Sequence, residues 1–252
     1  MDTEMRGQGI QSLELGINIL IKIGEMDKSL SITEISDMCG ISKSKLHRYL
    51  TSFCRTGFLQ RDSSLQYSIG PALVAIGNNA NIGQDIKDLA KPSLIKLRDL
   101  VNETVFLSVW AGDAPYPIDI EESRRQMTIG IKVGYKTSIV LTTTGRLFAA
   151  FLPEKEVQHY LHKDLLEHHM DPDEFQMELS SIREMGYSVA DDILVPGLVA
   201  VSCPVFGSDN RIVATITIVG IKGVLDLSSD SQIITSLRKE CMKLTDVLRS
   251  EQ

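Results

Sequence analysis

The sequence has no apolar run that approaches the roughly 18 residues of a membrane-spanning helix. Its start, MDTEMRGQG, has no basic segment followed by an apolar one, so no signal peptide is predicted. The four cysteines, Cys39, Cys54, Cys203 and Cys241, are far apart and form no CxxC pair. We therefore predict reduced thiols in a cytoplasmic protein that has no membrane partner.

Catalytic signatures are also missing. There is no G-x-S-x-G, no H-E-x-x-H and no glycine-rich phosphate loop, so we predict neither an enzyme nor a cofactor. Four of the five histidines lie in HYLHKDLLEHH, at His159, His162, His168 and His169. No cysteine or carboxylate follows them at a ligand spacing, so no metal site is predicted.

Acidic residues are absent between Asp37 and Asp62, although the chain has a net charge of −7. Residues 1–70 contain eight basic and eight acidic side chains, whereas residues 71–252 contain 18 and 25. The acid-free segment carries Lys43, Lys45, Arg48, Arg55 and Arg61. A basic patch on a neutral module indicates contact with a polyanion, while the acidic remainder argues against general attraction to nucleic acid.

The first seventy residues predict three helices and a hairpin. The first helix has an apolar stripe at three-to-four spacing, formed by Leu13, Ile17, Leu20, Ile21 and Ile23. The second begins with a capping box at Ser31 and Glu34 and ends at Gly40. The third is predicted to begin after Ser42 and end at Gly57, with a buried stripe of Leu46, Tyr49, Leu50 and Phe53. Two short strands, 58–61 and 65–69, flank turn residues.

This order is typical of a winged helix-turn-helix, in which the second helix of the pair enters the DNA major groove. We expect Lys43, Ser44, Lys45 and His47 near base edges. We expect Arg48, Arg55 and Arg61 to contact phosphates or to lie on the wing. Thr51 also faces outward and belongs to the same predicted DNA-binding surface. A small helical domain that docks protein is the alternative. The absence of acidic residues from this segment favours binding to double-stranded DNA over docking to a protein.

The rest of the chain predicts a linker and an α+β domain. We place the DNA-binding domain at residues 1–70, a linker helix at 71–84 with a moving joint near 77–83, and the second domain at 85–252. Pro92 either begins a new helical turn or kinks a continuous helix. Six segments read as strands, among them MTIGIKVG, and they predict an antiparallel sheet with helices packed on it. The segment LTTTGRLFAAFL places Thr143, Thr144 and Gly145 at the start of a helix, which suits a small anion.

The order and spacing of these motifs resemble the IclR family of bacterial transcription regulators nearly from end to end. Similar segments include LSITEISDMCGISKSKLHRYLTSF, TTTGRLFAAFL and PGLVAVSCPVF. The resemblance implies a winged helix-turn-helix, a linker helix and a GAF/PAS-like effector domain. It also implies dimers, or dimers of dimers, on palindromic operators, and most members repress transcription.

The family's effector pocket can be carried over position by position. It falls on Thr143, Thr144, Gly145, Ala190, Asp191, Ala200, Thr217 and Val219. Ile193 replaces a frequent glutamate, Ala200 a cysteine and Val219 a serine, and Arg146 replaces the usual lysine. These changes make the pocket less polar, so we expect a partly apolar organic acid, aromatic or sugar-derived.

Three alternatives stay open at this point. The protein could activate transcription instead of repressing it. Its second domain could serve assembly alone, without a ligand. An enzyme built on that domain is the third alternative, although Cys203 lies in an apolar strand and reads as a core residue.

Overall fold

The computed structural model describes residues 9–26, 28–79, 84–126, 129–192, 195–228 and 231–250. The chain divides into two compact units, Met1–Asn81 and Ile82–Gln252. Of the predicted joint at residues 77–83, residues 80–83 lie outside the described residues. Within the described residues, no helix is long and apolar enough to cross a membrane.

The first unit has the predicted order of a winged helix-turn-helix. Its elements are α1 (Gln11–Gly24), α2 (Ile32–Cys39), α3 (Lys43–Arg55), β1 (Leu59–Arg61), β2 (Tyr67–Ile69) and α4 (Pro71–Asn79). The β1 and β2 strands are antiparallel, and Leu30 adds a bridge to Tyr67 at the other side of β2. The helix-turn-helix pair and its hairpin are therefore confirmed as an element order.

Local signals set the bounds of α2. The Ser31 side chain accepts a hydrogen bond from the Glu34 backbone, and the Glu34 carboxylate accepts one from Ser31 N at 2.8 Å. Gly40 ends the helix with φ of 64°, a left-handed conformation that glycine adopts without a side-chain clash. Both capping predictions are confirmed.

The core of the first unit lies under α3, where Leu46 and Leu50 are fully buried with Ile35. The predicted stripe of α1 is only partly correct. Leu20 and Ile23 are buried, but Leu13, Ile17 and Ile21 are exposed. Gly16 instead faces the core, where an added Cβ would lie 3.1 Å from the Phe53 ring. Ile19 is buried beside it, so α1 is apolar on more than one side.

The second unit is a five-stranded sheet with helices on both faces. Its elements are α5 (Gln84–Val101), β3 (Thr104–Trp110), β4 (Pro115–Glu121), α6 (Thr143–Phe151), α7 (Glu154–Glu167), α8 (Pro172–Met185), β5 (Ser188–Asp191), β6 (Leu198–Phe206), β7 (Ile212–Ile221) and α9 (Gln232–Ser250). The strand order is β4-β3-β7-β6-β5, and each pair is antiparallel. The predicted α+β class is confirmed.

The two faces of this sheet differ in chemistry because side chains alternate along each strand. One face is apolar, with Leu107, Val201 and Ile216 fully buried in the same cluster as residues of α5 and α9. The opposite face packs on α6 and carries hydroxyl groups, including those of Ser202 and Thr217, which lie opposite each other in the register. The hydroxyl-bearing face is the one that positions the candidate ligand site.

The structure decides between the two alternatives for Pro92 and differs from the sequence-based expectation at one strand. Pro92 lies inside a continuous α5, so it does not begin a separate helix. The predicted strand MTIGIKVG is wrong: residues 129–134 form no strand, and residues 127–128 lie outside the described part. Gly134 has φ of 76°, and its amide donates to Pro117 O at 2.7 Å. This left-handed turn holds the segment as a loop beside β4.

Candidate functional sites

The outward surface of α3 carries the predicted DNA-contacting side chains. Every predicted residue is exposed: Lys43, Ser44, Lys45, His47, Arg48, Thr51, Arg55 and Arg61. Within the described residues, none of the five lysines and arginines in this set forms a salt bridge. Their charges are therefore available for phosphate groups. By contrast, the charge of Lys28 is already paired with Glu34.

Two hydroxyls on α3 are engaged with the helix itself. Thr51 Oγ1 donates to His47 O at 2.8 Å, and Ser52 Oγ donates to Arg48 O at 3.0 Å. Ser42 precedes the helix without a side-chain capping bond, although its hydroxyl lies 3.4 Å from Ser44 Oγ. The hydroxyls near the start of α3 are thus the ones free to turn toward a base edge.

The turn of the hairpin after α3 is held by hydrogen bonds to Asp62, and Arg61 precedes it at the end of β1. Asp62 Oδ1 accepts from the amides of Ser64 and Gln66, both at 2.9 Å. The Arg61 guanidinium lies 5.3 Å from the centre of the Tyr67 ring, within the range of a cation–π contact. This contact fixes the direction of the wing arginine.

The second unit contains a cavity of about 220 Å³ between the sheet, the start of α6 and two loops. Six of the eight predicted effector residues line it: Thr143, Thr144, Ala190, Ala200, Thr217 and Val219. The other lining residues are Phe106, Pro117, Ile129, Gly130, Ile131, Thr137, Leu141, Thr142, Val195, Leu198 and Val199. None of these described lining residues carries a charge.

A chain of four buried hydroxyl groups lies at the floor of the cavity, and three of the four residues line it. Thr143 Oγ1 lies 2.5 Å from Ser202 Oγ, and Ser202 Oγ lies 2.7 Å from Thr217 Oγ1. Thr217 Oγ1 lies 2.8 Å from Thr144 Oγ1. Each of these residues is at most 2% exposed. We call this set the hydroxyl chain.

The start of α6 offers further donors. Thr142 is the N-cap, and its Oγ1 accepts from Gly145 N at 3.0 Å. Within the described residues, the amides of Thr143 and Thr144 have no partner, as is usual in the first turn of a helix. Two residues that line the cavity thus have backbone N–H groups without a partner in the described structure, at the positive end of a helix dipole.

Gly145 does not line the cavity, and its amide is already bonded to Thr142. A Cβ at this position would lie 2.4 Å from Ile139 Cα. These contacts do not support Gly145 as a donor to a ligand, and its part in effector binding stays a prediction. The glycine is needed because α6 packs directly on the backbone of the preceding turn.

Asp191 also lies away from the cavity. Its carboxylate is 2.8 Å from Lys222 Nζ, which also contacts Asp192. Hydrogen bonds to these two carboxylates raise the pKa of Lys222 to about 12. The pair holds β5 to the end of β7 at the surface, and the part of Asp191 in effector binding stays a prediction. Ile193, the departure noted in the sequence, lies outside the described residues.

Arg146 is a buried cation, yet it points away from the ligand site. Its Nε donates to Val140 O at 2.8 Å, and its Nη1 donates to Glu178 at 2.5 Å. Burial lowers the pKa of the guanidinium, and the neighbouring Glu178 opposes that effect. Arg146 joins α6 to the preceding turn and to α8, so it leaves the cavity without a cation.

Several lining residues escaped the sequence analysis. Phe106 lies opposite Thr217 on β3, and Leu198 follows the same face as Ala200 on β6. The period-two pattern of β6 could have indicated Leu198 and Ser202 once Ala200 was chosen. Nothing in the sequence gives the register that brings Phe106 to Thr217.

The histidine-rich segment belongs to α7 and its end. His168 Nε2 lies 3.7 Å from Asp164 Oδ1, and the His159 ring packs on Tyr160. In the described part of the chain, no group of three or more His, Cys, Asp or Glu residues could hold a metal ion. Asp164 instead accepts from Ser138 Oγ and Ile139 N, both at 2.7 Å, and so fixes the turn before α6.

A basic helix followed by a wing, together with a second unit that contains a mostly apolar cavity, is the arrangement of a DNA-binding transcription regulator that responds to a ligand. Residues 12–63 match the IclR helix-turn-helix domain, and residues 80–245 match the bacterial transcriptional regulator IclR C-terminal domain. The chain belongs to the IclR family of bacterial transcriptional regulators. These matches also bear out the prediction that the chain is not an enzyme.

Curated relatives of the chain are also transcriptional regulators. The chain is 26% identical over 199 residues to the HTH-type transcriptional regulator KipR of Bacillus subtilis, covering 77% of this chain and 80% of that protein. It is 26% identical over 219 residues to the transcriptional repressor IclR of Escherichia coli, covering 84% and 80%.

Solved structures share the fold. The crystal structure of Pseudomonas aeruginosa HmgR is 30% identical, with a TM-score of 0.62 over 95% of this chain and 98% of that chain. An IclR homolog from Microbacterium hydrocarbonoxydans, complexed with 4-hydroxybenzoate, is 14% identical with a TM-score of 0.78, over 94% and 99%. At 14% identity, the similarity to the Microbacterium hydrocarbonoxydans protein shows a shared fold and nothing more.

Proposed function

We propose that this protein is a ligand-responsive repressor of a catabolic operon in the cytoplasm, with a small organic acid as its effector. The single observation that carries the DNA-binding part is the surface of α3, whose cations have no acidic partner among the described residues. Repression is supported by two relatives, described as the transcriptional repressor IclR and the acetate operon repressor.

The DNA contacts follow from the position of each side chain on α3. Lys43, Ser44 and Lys45 occupy the first turn, which in this motif reaches base edges, and His47 follows one turn later. Arg48, Thr51 and Arg55 continue along the helix, where phosphate contacts set the orientation, and Arg61 extends from the wing.

The chemistry of the cavity supports an organic acid with an apolar body. Two free amides and the hydroxyl chain provide hydrogen-bond donors at the start of α6, and most of the remaining lining is apolar. A carboxylate accepts such donors, and the helix N-terminus favours its charge. The related structure that holds 4-hydroxybenzoate is consistent with an aromatic acid.

A homodimer on a palindromic operator, or a dimer of dimers, completes the proposal. Four large apolar side chains project from α1 into solvent: Ile10, Leu13, Ile17 and Ile21. They recur every three or four residues, so they form one stripe along the helix. Such a stripe is costly to leave in water, and a symmetric partner that reads the second half-site would cover it.

The effector must act by binding one arrangement of the paired DNA-binding units better than another. A tenfold change in operator affinity requires about 1.4 kcal/mol of difference in ligand binding between the two arrangements. One additional hydrogen bond contributes about this much, so a ligand that bonds to the start of α6 is sufficient.

The test is binding of the purified protein to duplexes from its own upstream region at low salt, followed by titration with monocarboxylic acids. We expect specific binding that weakens as one acid is added, and derepression of a reporter fused to that promoter. Failure to bind any upstream duplex would refute the proposal. Reporter activity that requires the protein would identify an activator instead.

A further inference from the structure

The hydroxyl chain has one more proton than it has internal hydrogen bonds. Four hydroxyl groups carry four protons, and the three contacts between them use three. Among the described residues, none of these four oxygens has another hydrogen-bond partner. One proton therefore stays available for a different acceptor.

The position of Ser202 decides where that proton lies. Ser202 is 0% exposed and does not line the cavity, whereas Thr143, Thr144 and Thr217 do. A proton left on Ser202 would have no acceptor, which is costly for a buried donor. The chain is therefore most stable when Ser202 donates within it and the spare proton belongs to a threonine at the cavity.

The two ends of the chain are Thr143 and Thr144, and their roles are linked. When all three hydrogen bonds run toward Thr144, that hydroxyl donates into the cavity and Thr143 Oγ1 presents only lone pairs. When the bonds run the other way, the roles exchange. In a third arrangement Thr143 and Thr144 both donate within the chain, and Thr217 donates into the cavity. As long as Ser202 connects the ends, the three threonines together offer one hydroxyl donor, and the others present lone pairs.

We infer that Ser202 is a positioning residue that determines the headgroup specificity of the cavity without touching the ligand. This inference rests on the proposed effector site. With Ser202 in place, the floor suits a headgroup with one acceptor and one donor, such as a carboxamide or a hydroxyl-bearing acid. Without the Ser202 hydroxyl, Thr143 is released from the Thr217–Thr144 pair, so two protons face the cavity and suit a carboxylate.

Ser188 provides a matched control. It lies directly opposite Ser202 in the strand register and is also 0% exposed. Its hydroxyl has no hydrogen-bond partner in the described part of the chain, so it is not part of the hydroxyl chain. Ser188→Ala thus removes an equally buried hydroxyl from the same face of the sheet without altering the three contacts.

The experiment compares matched acids and amides: acetate with acetamide, benzoate with benzamide, and 4-hydroxybenzoate with its amide. Dissociation constants are measured by calorimetry for wild type, S202A and S188A. For a pair that binds, we expect S202A to shift the preference roughly tenfold toward the acid, since a hydrogen bond to a charged group contributes at least that factor. S188A should keep the wild-type ratio. An unchanged ratio in S202A, or the same shift in S188A, overturns the inference.

Neutron diffraction from deuterated wild-type crystals tests the hydroxyl chain without any ligand. We expect one deuteron in each of the three contacts and the fourth on a threonine that faces the cavity. Two deuterons directed into the cavity, or one on Ser202 outside the chain, would overturn the inference. If no acid or amide binds to wild type, the proposed effector class fails, and the neutron map alone decides the role of Ser202.

Discussion

Ser93 Oγ on α5 donates a hydrogen bond of 2.9 Å to Glu240 Oε2 on α9. The Glu240 side chain is 3% exposed, and its other oxygen accepts from Lys96. Burial by itself would raise the pKa of this carboxyl. The hydrogen bonds from Lys96 and Ser93 outweigh burial and hold the pKa below its usual value. Glu240 is therefore a charged link between two helices that cover the apolar face of the sheet.

This link predicts a pH-dependent contribution to stability. Because the folded-state pKa is lowered, the contribution is fully present above the unfolded pKa near 4.5 and is lost as the pH falls through the folded value. Glu240→Gln should lower the free energy of unfolding by about 1–3 kcal/mol at pH 7. The deficit should shrink below pH 4.5, as measured by denaturant titration.

Glu184→Gln is the control, because Glu184 is an exposed residue of α8. It removes one carboxylate without breaking a buried hydrogen bond, so its effect should stay within about 0.5 kcal/mol. An E240Q deficit of the same size at every pH would show that Glu240 contributes by packing and not by charge.

Replacement of Lys45 by Ala should weaken operator binding and reduce its dependence on salt. A lysine in the groove also neutralises nearby phosphate charge, so its loss should lower the slope of log K against log salt by up to about 0.9. The measurement is fluorescence anisotropy over a range of salt concentrations. Lys155→Ala, an exposed lysine of α7 in the second unit, changes the net charge equally and should leave the slope intact. An intact slope in K45A would remove Lys45 from the interface.

Replacement of Thr144 by Val should impair the effector response and spare DNA binding. The change removes the hydroxyl that lies 2.8 Å from Thr217 Oγ1, and we expect effector affinity to fall roughly fivefold to tenfold. Operator titrations with and without effector give both values. The control is Thr245→Val, which removes a buried hydroxyl that donates to Cys241 O on α9. Joint loss of DNA and effector binding in T144V would indicate misfolding.

Gly145→Ala should destabilise the second unit severely. The new Cβ would lie 2.4 Å from Ile139 Cα, and backbone atoms cannot move aside as a flexible side chain can. We expect a loss of about 3 kcal/mol or more, seen as a large fall in Tm. Gly130→Ala is the control, since a Cβ there meets nothing within 4 Å. A G145A protein with wild-type Tm would show that α6 shifts easily.

Ile17→Asp should dissociate the proposed dimer. Ile17 is 47% exposed in the described chain, so the monomer tolerates a charge there, whereas a buried dimer face would not. Light scattering coupled to size-exclusion chromatography measures the mass. Met177→Asp, at a residue of α8 that is 72% exposed, should leave the mass unchanged. An I17D dimer would exclude α1 from the interface.

Local signals explain which parts of the fold were predictable. Ser31, Glu34 and Gly40 act within a few residues, so the bounds of α2 follow from the sequence. The α3 stripe was predictable in the same way, although only Leu46 and Leu50 are fully buried, and Tyr49 and Phe53 are half-buried beside them. The face of α1 was misjudged because the helix is apolar on more than one side, and periodicity alone cannot tell which side the core covers.

The candidate site was predictable only in part, for a related reason. Thr143 and Thr144 stand out as a cluster in the sequence, and Ala200 and Thr217 came from the family resemblance. Gly145 was predicted as an effector residue, but a glycine at a helix start suits either an anion or a close backbone contact. The short distance to Ile139 Cα supports the backbone contact.

The sequence by itself determined the order of the elements in the first unit, the caps of α2 and the acid-free surface of α3, because each depends on residues a few positions apart. Only the tertiary structure placed Ser202 between Thr143 and Thr217, residues 59 and 15 positions away along the chain. The register of β6 and β7 brings Ser202 to Thr217, and the packing of α6 on the sheet brings Thr143 to Ser202. Both depend on the packing of the whole second unit, so no short segment encodes them.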